Sequence, residues 1–172
     1  MAVDLKRIKL LLLDVDGVMT DGRIIYLNDG GEAKAFDVKD GHGLKLIQRA
    51  GIQVGIITGR QSDIVGRRAA ELGIEQVYQG AKDKMQPFME ILEKLGLEPS
   101  EVAYVGDDLV DLPVMRLVGF SATVADASDD IKPYVDLVTS RPGGRGAVRE
   151  VCDFLLKQSS LWTSVTSRYF ED

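Results

Sequence analysis

The sequence predicts an α/β fold, a parallel sheet layered between helices on both faces, and three observations carry that expectation. Short apolar runs, "IKLLLLD", "QVGIIT", "QVYQG", "EVAYVGDD", "GFSATV" and "VDLVTS", recur along the chain and end in Gly, Asp or Thr. Helical patterns lie between them. Uninterrupted apolar runs mark strands buried on both faces, and alternating such strands with helices gives a parallel sheet. The third observation is length: 172 residues suffice for one packed core and fall short of two ordinary ones. A single domain over residues 1–172, in a three-layer, Rossmann-like arrangement, is therefore expected.

The expected helices run from Gly43 to Ala50, Ser62 to Leu72, Lys84 to Leu95, Leu109 to Leu117 and Gly146 to Lys157. Ser62 or Asp63 suits an N-cap, and Gly73 and Gly96 follow the last turns of their helices. Residues 23–38, "RIIYLNDGGEAKAFDV", break the alternation. Two short extended runs flank Asn28-Asp29-Gly30-Gly31, so this segment reads as a β-hairpin projecting from the sheet after the first strand. Residues 158–172, "QSSLWTSVTSRYFED", are expected to form a mobile C-terminal tail that keeps Trp162, Tyr169 and Phe170.

Composition narrows the partners. The chain is 45% hydrophobic and 28% charged, with a formal net charge of −6, a balance that repels a phosphate backbone and argues against nucleic acid. No apolar stretch approaches the roughly 20 residues that cross a bilayer, and "MAVDLKRIK" lacks the apolar centre of a signal peptide. A cytoplasmic location without a membrane partner is expected. The lone Cys152, in "AVREVCDFLLK", suits the apolar side of a helix and inert packing.

Ligands of an open parallel sheet gather at the carboxyl ends of its strands. Here those ends carry Asp14 and Asp16, Thr58, Lys84 beyond "VYQGAKD", and Asp107 and Asp108 with Asp111. Residues 14 and 16 share the two-residue period of a strand, so both face one site if the strand continues that far. Carboxylates converging there with Asp107 need a compensating charge, and hard oxygen donors suit Mg²⁺. A divalent cation beside a carboxylate, a hydroxyl and an ammonium makes a phosphoryl-transfer site. Asp14 would attack phosphorus, while Asp16 would protonate the departing alcohol and later deprotonate water.

"LLLDVDGVMTDG", "IITGR", "GAKDK" and "YVGDDLVDLPVM", in that order, resemble the four motifs of the haloacid dehalogenase superfamily of phosphohydrolases, over Ile8 to Met115. The resemblance implies Asp14 as nucleophile, Asp16 as general acid/base, and Mg²⁺ held by Asp14, the Asp16 backbone carbonyl and Asp107. It implies Thr58 and Lys84 on the phosphoryl group, with Asp108 and Asp111 supporting metal and lysine from behind. Lys82 competes with Lys84, which opens a helix and aligns better with the third motif. Members of this superfamily usually carry a cap after the first motif or between the second and third. Here the first gap holds only the hairpin and one helix, and the second only a helix and a short strand, so no cap domain is expected.

A capless site needs walls from elsewhere, and a projecting apolar-edged hairpin is a natural oligomer contact. This arrangement is similar to the capless tetrameric phosphatases of 3-deoxy-D-manno-octulosonate 8-phosphate in lipopolysaccharide assembly. The similarity extends through "GRIIYLNDGGEAKAFDVKDGHGLKLI", "GRQSDIVGRRAAELGI", "VADA" and "GGRGAVREVCDFLL", nearly to Lys157. It implies a small sugar-phosphate substrate bound around Asp16, Thr58, Gly59, Arg60, Arg68 and Lys84, and a homotetramer with shared active sites. A related group hydrolyses nine-carbon nonulosonate 9-phosphates. Arg60 resembles the octulosonate enzymes, and its guanidinium suits a sugar carboxylate. Arg68 would approach the substrate from an adjacent protomer, and the tail would reach a neighbour's site. "RPGGRGAVRE" lacks nucleotide-loop spacing and reads as a join into the last helix, with Arg145 a candidate anion contact; His42 reads as a cap or surface residue. Other readings are a receiver-like phosphoacceptor module, which shares an acidic site, threonine and lysine in another order, a phosphatase of nucleic-acid ends or phosphoprotein, and an inactive scaffold.

Overall fold

The computed structural model describes residues 4–170. Six strands form one parallel sheet: β1 (Leu10–Leu13), β4 (Gln53–Ile57), β5 (Gln76–Tyr78), β6 (Val102–Val105), β7 (Phe120–Thr123) and β8 (Leu137–Val138). Their order is β5-β4-β1-β6-β7-β8, with every pairing parallel. Between them run α1 (Val38–Arg49), α2 (Asp63–Leu72), α3 (Met85–Leu95) and α4 (Leu112–Met115), and α5 (Ala147–Gln158) and α6 (Trp162–Thr166) follow. Right-handed crossovers carry α1 and α2 to one face and α3 and α4 to the other. Helices α1 and α5 pack along each other. The expected layered α/β architecture is thus observed, with no cap domain among the described residues.

β1 is the centre of the sheet. Leu10, Leu11, Leu12 and Leu13 are all fully buried, because β1 is paired on both edges and covered on both faces. Burying each leucine contributes about 1.5–3 kcal/mol, which fixes the strand and hence whatever follows it. The chain leaves β1 toward β4 on one side and later returns to β6 on the other. The carboxyl end of β1 therefore lies at the point where strand order reverses, the place where such sheets open a crevice.

The excursion over residues 23–38 is a hairpin, β2 (Ile25–Tyr26) against β3 (Glu32–Ala33), antiparallel. Its turn closes with the Gly31 N–H donating to Asp29 Oδ1 at 2.9 Å, and Gly30 takes φ +86°, a region that side chains disfavour. Ile24, Ile25, Tyr26 and Leu27 are exposed, Tyr26 to 74%.

Three local expectations are corrected. The first helix begins at Val38 rather than Gly43, because the Asp37 carboxylate accepts from the Lys39 N–H at 2.6 Å and caps it earlier. The helix expected from Leu109 to Leu117 shrinks to Leu112–Met115, since residues 107–111 are drawn into turns by Asp111. The segment expected as a mobile tail, 158–172, is helical over much of its described length; Glu171 and Asp172 lie outside the described residues. Val165 and Thr166 are buried there, Lys157 sits 4.8 Å over the Trp162 ring, and the Tyr169 hydroxyl accepts from Arg49 at 2.7 Å.

One long-range polar contact ties α1 to α5. Gly146, ahead of α5, has φ +99° and no capping side chain of its own. The buried Asp40 carboxylate from α1 supplies the cap, accepting from the Gly146 N–H at 3.3 Å and the Arg149 N–H at 2.8 Å. Asp40→Ala should lower unfolding stability by about 1–2 kcal/mol, the usual worth of a helix cap. A denaturant titration that finds less than about half of the lower figure would show the cap to be redundant.

Candidate active site

The polar groups named from the sequence meet at the carboxyl ends of β1, β4 and β6. Asp14 follows β1 directly, its N–H donating to the Val105 carbonyl at 2.9 Å as the last rung of the ladder. Thr58 follows β4 in the same way, its N–H donating to Tyr78 at 2.9 Å. Gly106 leads out of β6 so close to Asp111 that a Cβ would stand 2.4 Å from the Asp111 Cβ. That tightness turns Asp107 back toward Asp14.

Lys84 is the hinge of the site. Its buried ammonium lies 3.0 Å from Asp14 Oδ2 and 2.6 Å from Asp111 Oδ1. Burial alone would lower its pKa, but Asp14 and Asp111 outweigh burial and hold it above the usual lysine value, so the group stays charged. Asp111 is saturated: Oδ1 also accepts from the Tyr104 hydroxyl at 2.7 Å, and Oδ2 from the Asp107 and Asp108 N–H groups at 3.1 and 3.3 Å. Lys82 lines the neighbouring cavity without entering this network, which favours Lys84 in the choice between them.

Asp14, Asp107 and Asp111 each bring a carboxylate oxygen within 4.8 Å of the others. Because Asp111 is fully engaged, the oxygens available to a cation belong to Asp14 and Asp107. Burial raises Asp14 to about 6, and burial with the Asp14 charge raises Asp107 to about 7. Such crowding of buried acids fits a hard divalent cation held by oxygen ligands. Gly17, at φ +93°, is required beside it, because a Cβ there would stand 2.0 Å from Asp107 Oδ2.

Asp16 differs from expectation. The strand stops at Leu13, so residues 14 and 16 do not share a strand face; Asp16 belongs to the turn that follows. Its carboxylate is turned away from Asp107 and meets Lys34, whose Nζ lies 2.5 Å from Oδ1, while Arg60 Nε stands 3.7 Å from Oδ2. That Arg60 Nε is buried without a hydrogen-bond partner. Asp14, Asp16, Thr58, Gly59, Arg60, Lys82, Lys84 and Val110 surround an open cavity of about 370 Å³.

Other expected residues lie apart. Arg68 stacks 5.7 Å over Phe36, bridges to Glu71 at 3.3 Å and lines a separate groove with Val38. The Asp108 carboxylate accepts only from the Leu109 N–H, at 2.7 Å, so Asp108 serves the network through its backbone. Arg145 is exposed, and the exposed His42 contacts the Tyr169 hydroxyl at 3.3 Å. Cys152 is fully buried with its thiol pKa pushed up, as inert packing requires. The loop "RPGGRG" presses on the first motif: a Cβ on Gly143 would lie 1.7 Å from the Gly17 carbonyl oxygen.

Sequence reasoning missed Lys34, Glu32 and Tyr104. Tyr104 carried a signal, since a hydroxyl inside the apolar run "VAYV" needs a buried acceptor. Glu32 and Lys34 carried a weaker one, two opposite charges two residues apart on a strand otherwise read as an apolar contact.

Both raised acids exceed the usual 3.8, so between about pH 4 and 7 the metal-free native chain holds protons that the unfolded chain has released. Its stability therefore falls as pH rises through that window, and a cation that replaces the protons binds more tightly at higher pH. Mg²⁺ should raise the melting temperature more at pH 8 than at pH 5.5. Thermal melts with and without the ion check this, and a larger shift at the lower pH would contradict it.

The model of the haloacid dehalogenase-like hydrolase family matches residues 31–119. The 3-deoxy-D-manno-octulosonate 8-phosphate phosphatase KdsC of Escherichia coli K12 is 54% identical over 151 residues, 88% of this chain and 80% of that protein. A crystal structure of the phosphatase of that name from Yersinia pestis superposes with a TM-score of 0.90 at 48% identity, over 91% of this chain and 85% of that one. Another, from Moraxella catarrhalis in complex with magnesium ion, phosphate ion and KDO, gives a TM-score of 0.93 at 44% identity, over 96% and 95%. With the four motif segments brought to one crevice and these likenesses spanning most of the chain, the protein belongs to the haloacid dehalogenase-like hydrolase family.

Proposed function

We propose that this chain is a Mg²⁺-dependent phosphatase that hydrolyses 3-deoxy-D-manno-octulosonate 8-phosphate to the free sugar and inorganic phosphate, a step of lipopolysaccharide assembly. The observation that carries the reading is the buried Lys84 held between Asp14 and Asp111, with Asp107 across from Asp14. Close relatives named for this activity support the substrate, and the Moraxella complex supports the ion.

Asp14 attacks phosphorus, its Oδ–P bond forming as the bond to the sugar oxygen breaks. Asp16 delivers a proton to that oxygen, then accepts one from the water that attacks the aspartyl-phosphate and releases Asp14. Lys84 and Thr58 bear the charge of the phosphoryl oxygens, and the Asp111–Tyr104 pair keeps Lys84 fixed and charged. Asp14 and Asp107 would hold Mg²⁺, with the Asp16 backbone carbonyl as a third ligand, and the ion would supply positive charge to offset that of the phosphoryl group. The unpartnered Arg60 Nε beside the cavity suits the sugar carboxylate, which favours the octulosonate ester over other phosphates.

The proposal includes a homotetramer. The exposed apolar hairpin and Val38, 81% exposed beside Arg68, supply surfaces by which a neighbour would wall the cavity and receive Arg68. It includes a cytoplasmic site of action, since a charged sugar phosphate does not cross an apolar bilayer unaided.

Asp14→Asn should reduce hydrolysis to the background rate with the melting temperature preserved, and chelation should silence the parent until Mg²⁺ returns. Residual parental turnover in either case would remove the nucleophile or the metal from the mechanism. Steady-state kinetics on octulosonate 8-phosphate and a nonulosonate 9-phosphate should favour the former by at least about tenfold in kcat/KM, the worth of one well-placed charged contact. A reversed preference would assign the enzyme to the second substrate. Light scattering should find four subunits in the active species.

A further inference from the structure

The hairpin does more than project an apolar surface. Glu32 at the start of β3 and Lys34 just past its end both reach the surroundings of Arg60 and Asp16. Glu32 accepts from the Ser62 hydroxyl at the start of α2 and faces Arg60 at 3.9 Å. Lys34 crosses to the first motif, its Nζ 2.5 Å from Asp16 Oδ1. Its side chain is only 2% exposed, so this ammonium has exchanged nearly all of its water for one carboxylate. A lysine placed for solubility would extend outward from an exposed hairpin; this one extends inward.

We propose that Lys34 is the positioning residue for Asp16 in both proton transfers, an inference that rests on the phosphatase reading above. Asp16 lies in a turn beyond the end of β1, where no strand ladder orients its side chain. The same carboxyl must serve a departing sugar oxygen and then an attacking water, so its placement has to persist through both halves of the reaction. Lys34 anchors Oδ1 and leaves Oδ2, on the Arg60 side, to exchange the proton. Lys34 is absent from the cavity wall formed by Asp14, Asp16, Thr58, Arg60 and Lys84, so it acts through Asp16 and not on the phosphoryl group.

The test compares the parent with Lys34→Met and Lys34→Arg on the sugar phosphate and on 4-nitrophenyl phosphate, whose leaving group departs without a proton. Lys34→Met should lower kcat on the sugar phosphate by about 10²-fold, the usual share of a placed acid or base, with KM little changed. On the nitrophenyl ester it should give a first turnover near the parental rate, seen as a burst of one nitrophenolate per site, followed by slow steady release as water attack becomes limiting. Lys34→Arg should recover most of kcat on both. Slowing of the nitrophenyl burst as large as that on the sugar phosphate, a rise in KM with kcat intact, or no effect would each overturn the proposal. A parent inert toward the sugar phosphate would instead overturn the substrate assignment, and the nitrophenyl burst would still decide the role of Lys34.

Discussion

The site depends on one buried cation. Lys84 draws Asp14 from the first motif and Asp111 from the fourth to the same ammonium, and it does so with almost no solvent to share the work. Without that charge, three carboxylates within 4.8 Å of one another would sit in a pocket with little water to screen them. The lysine relieves two of them and leaves Asp107 with Asp14 as the unmet demand. A place for a cation is thus defined by what Lys84 does not neutralise. Tyr104 and two backbone N–H groups complete Asp111, so the surplus negative charge is directed to the side of the crevice where phosphate would enter.

The sheet supplies the rigidity that this arrangement requires. β1 is paired on both edges and covered on both faces, and its four leucines are packed so that truncating any one to alanine would cost about 2–5 kcal/mol. Asp14 inherits that immobility from the ladder bond to Val105. Asp16 does not, and the hairpin makes up the difference. The two carboxylates of the first motif are therefore held by unlike means: Asp14 by the core, Asp16 by a charged side chain from an excursion that the core does not contain.

This division also explains what was legible in the sequence. The strands of the parallel sheet and the gathering of Asp14, Thr58, Lys84 and Asp107 at their carboxyl ends follow from apolar runs ending in polar residues, because burial and strand ends are local properties of the chain, whereas the order of the strands in the sheet is not. Asp16 was oriented by a strand period that stops three residues too early, at Leu13, so its side chain is set by the turn that follows. The charges of Glu32 and Lys34 were visible but the partner of Lys34 was not, since it lies 18 residues away across a hairpin whose angle to the sheet no local pattern encodes. The early start of α1 was readable in Asp37 and overlooked behind the glycines that follow. The helical end of the chain, by contrast, depends on packing Val165 and Trp162 against elements far back in the sequence.

The carboxylate of Asp40 completes α5 across a sequence separation of more than a hundred residues. The clustered aspartates and Lys84 have all been synthesised by residue 111, yet the helix that α1 packs upon begins only at Ala147. A growing chain on the ribosome therefore carries the whole carboxylate–lysine cluster while one side of α1 remains uncovered and Asp40 lacks the N–H groups of Gly146 and Arg149. Such late closure makes assembly of the domain slow to nucleate and exposed to wrong partners until α5 arrives.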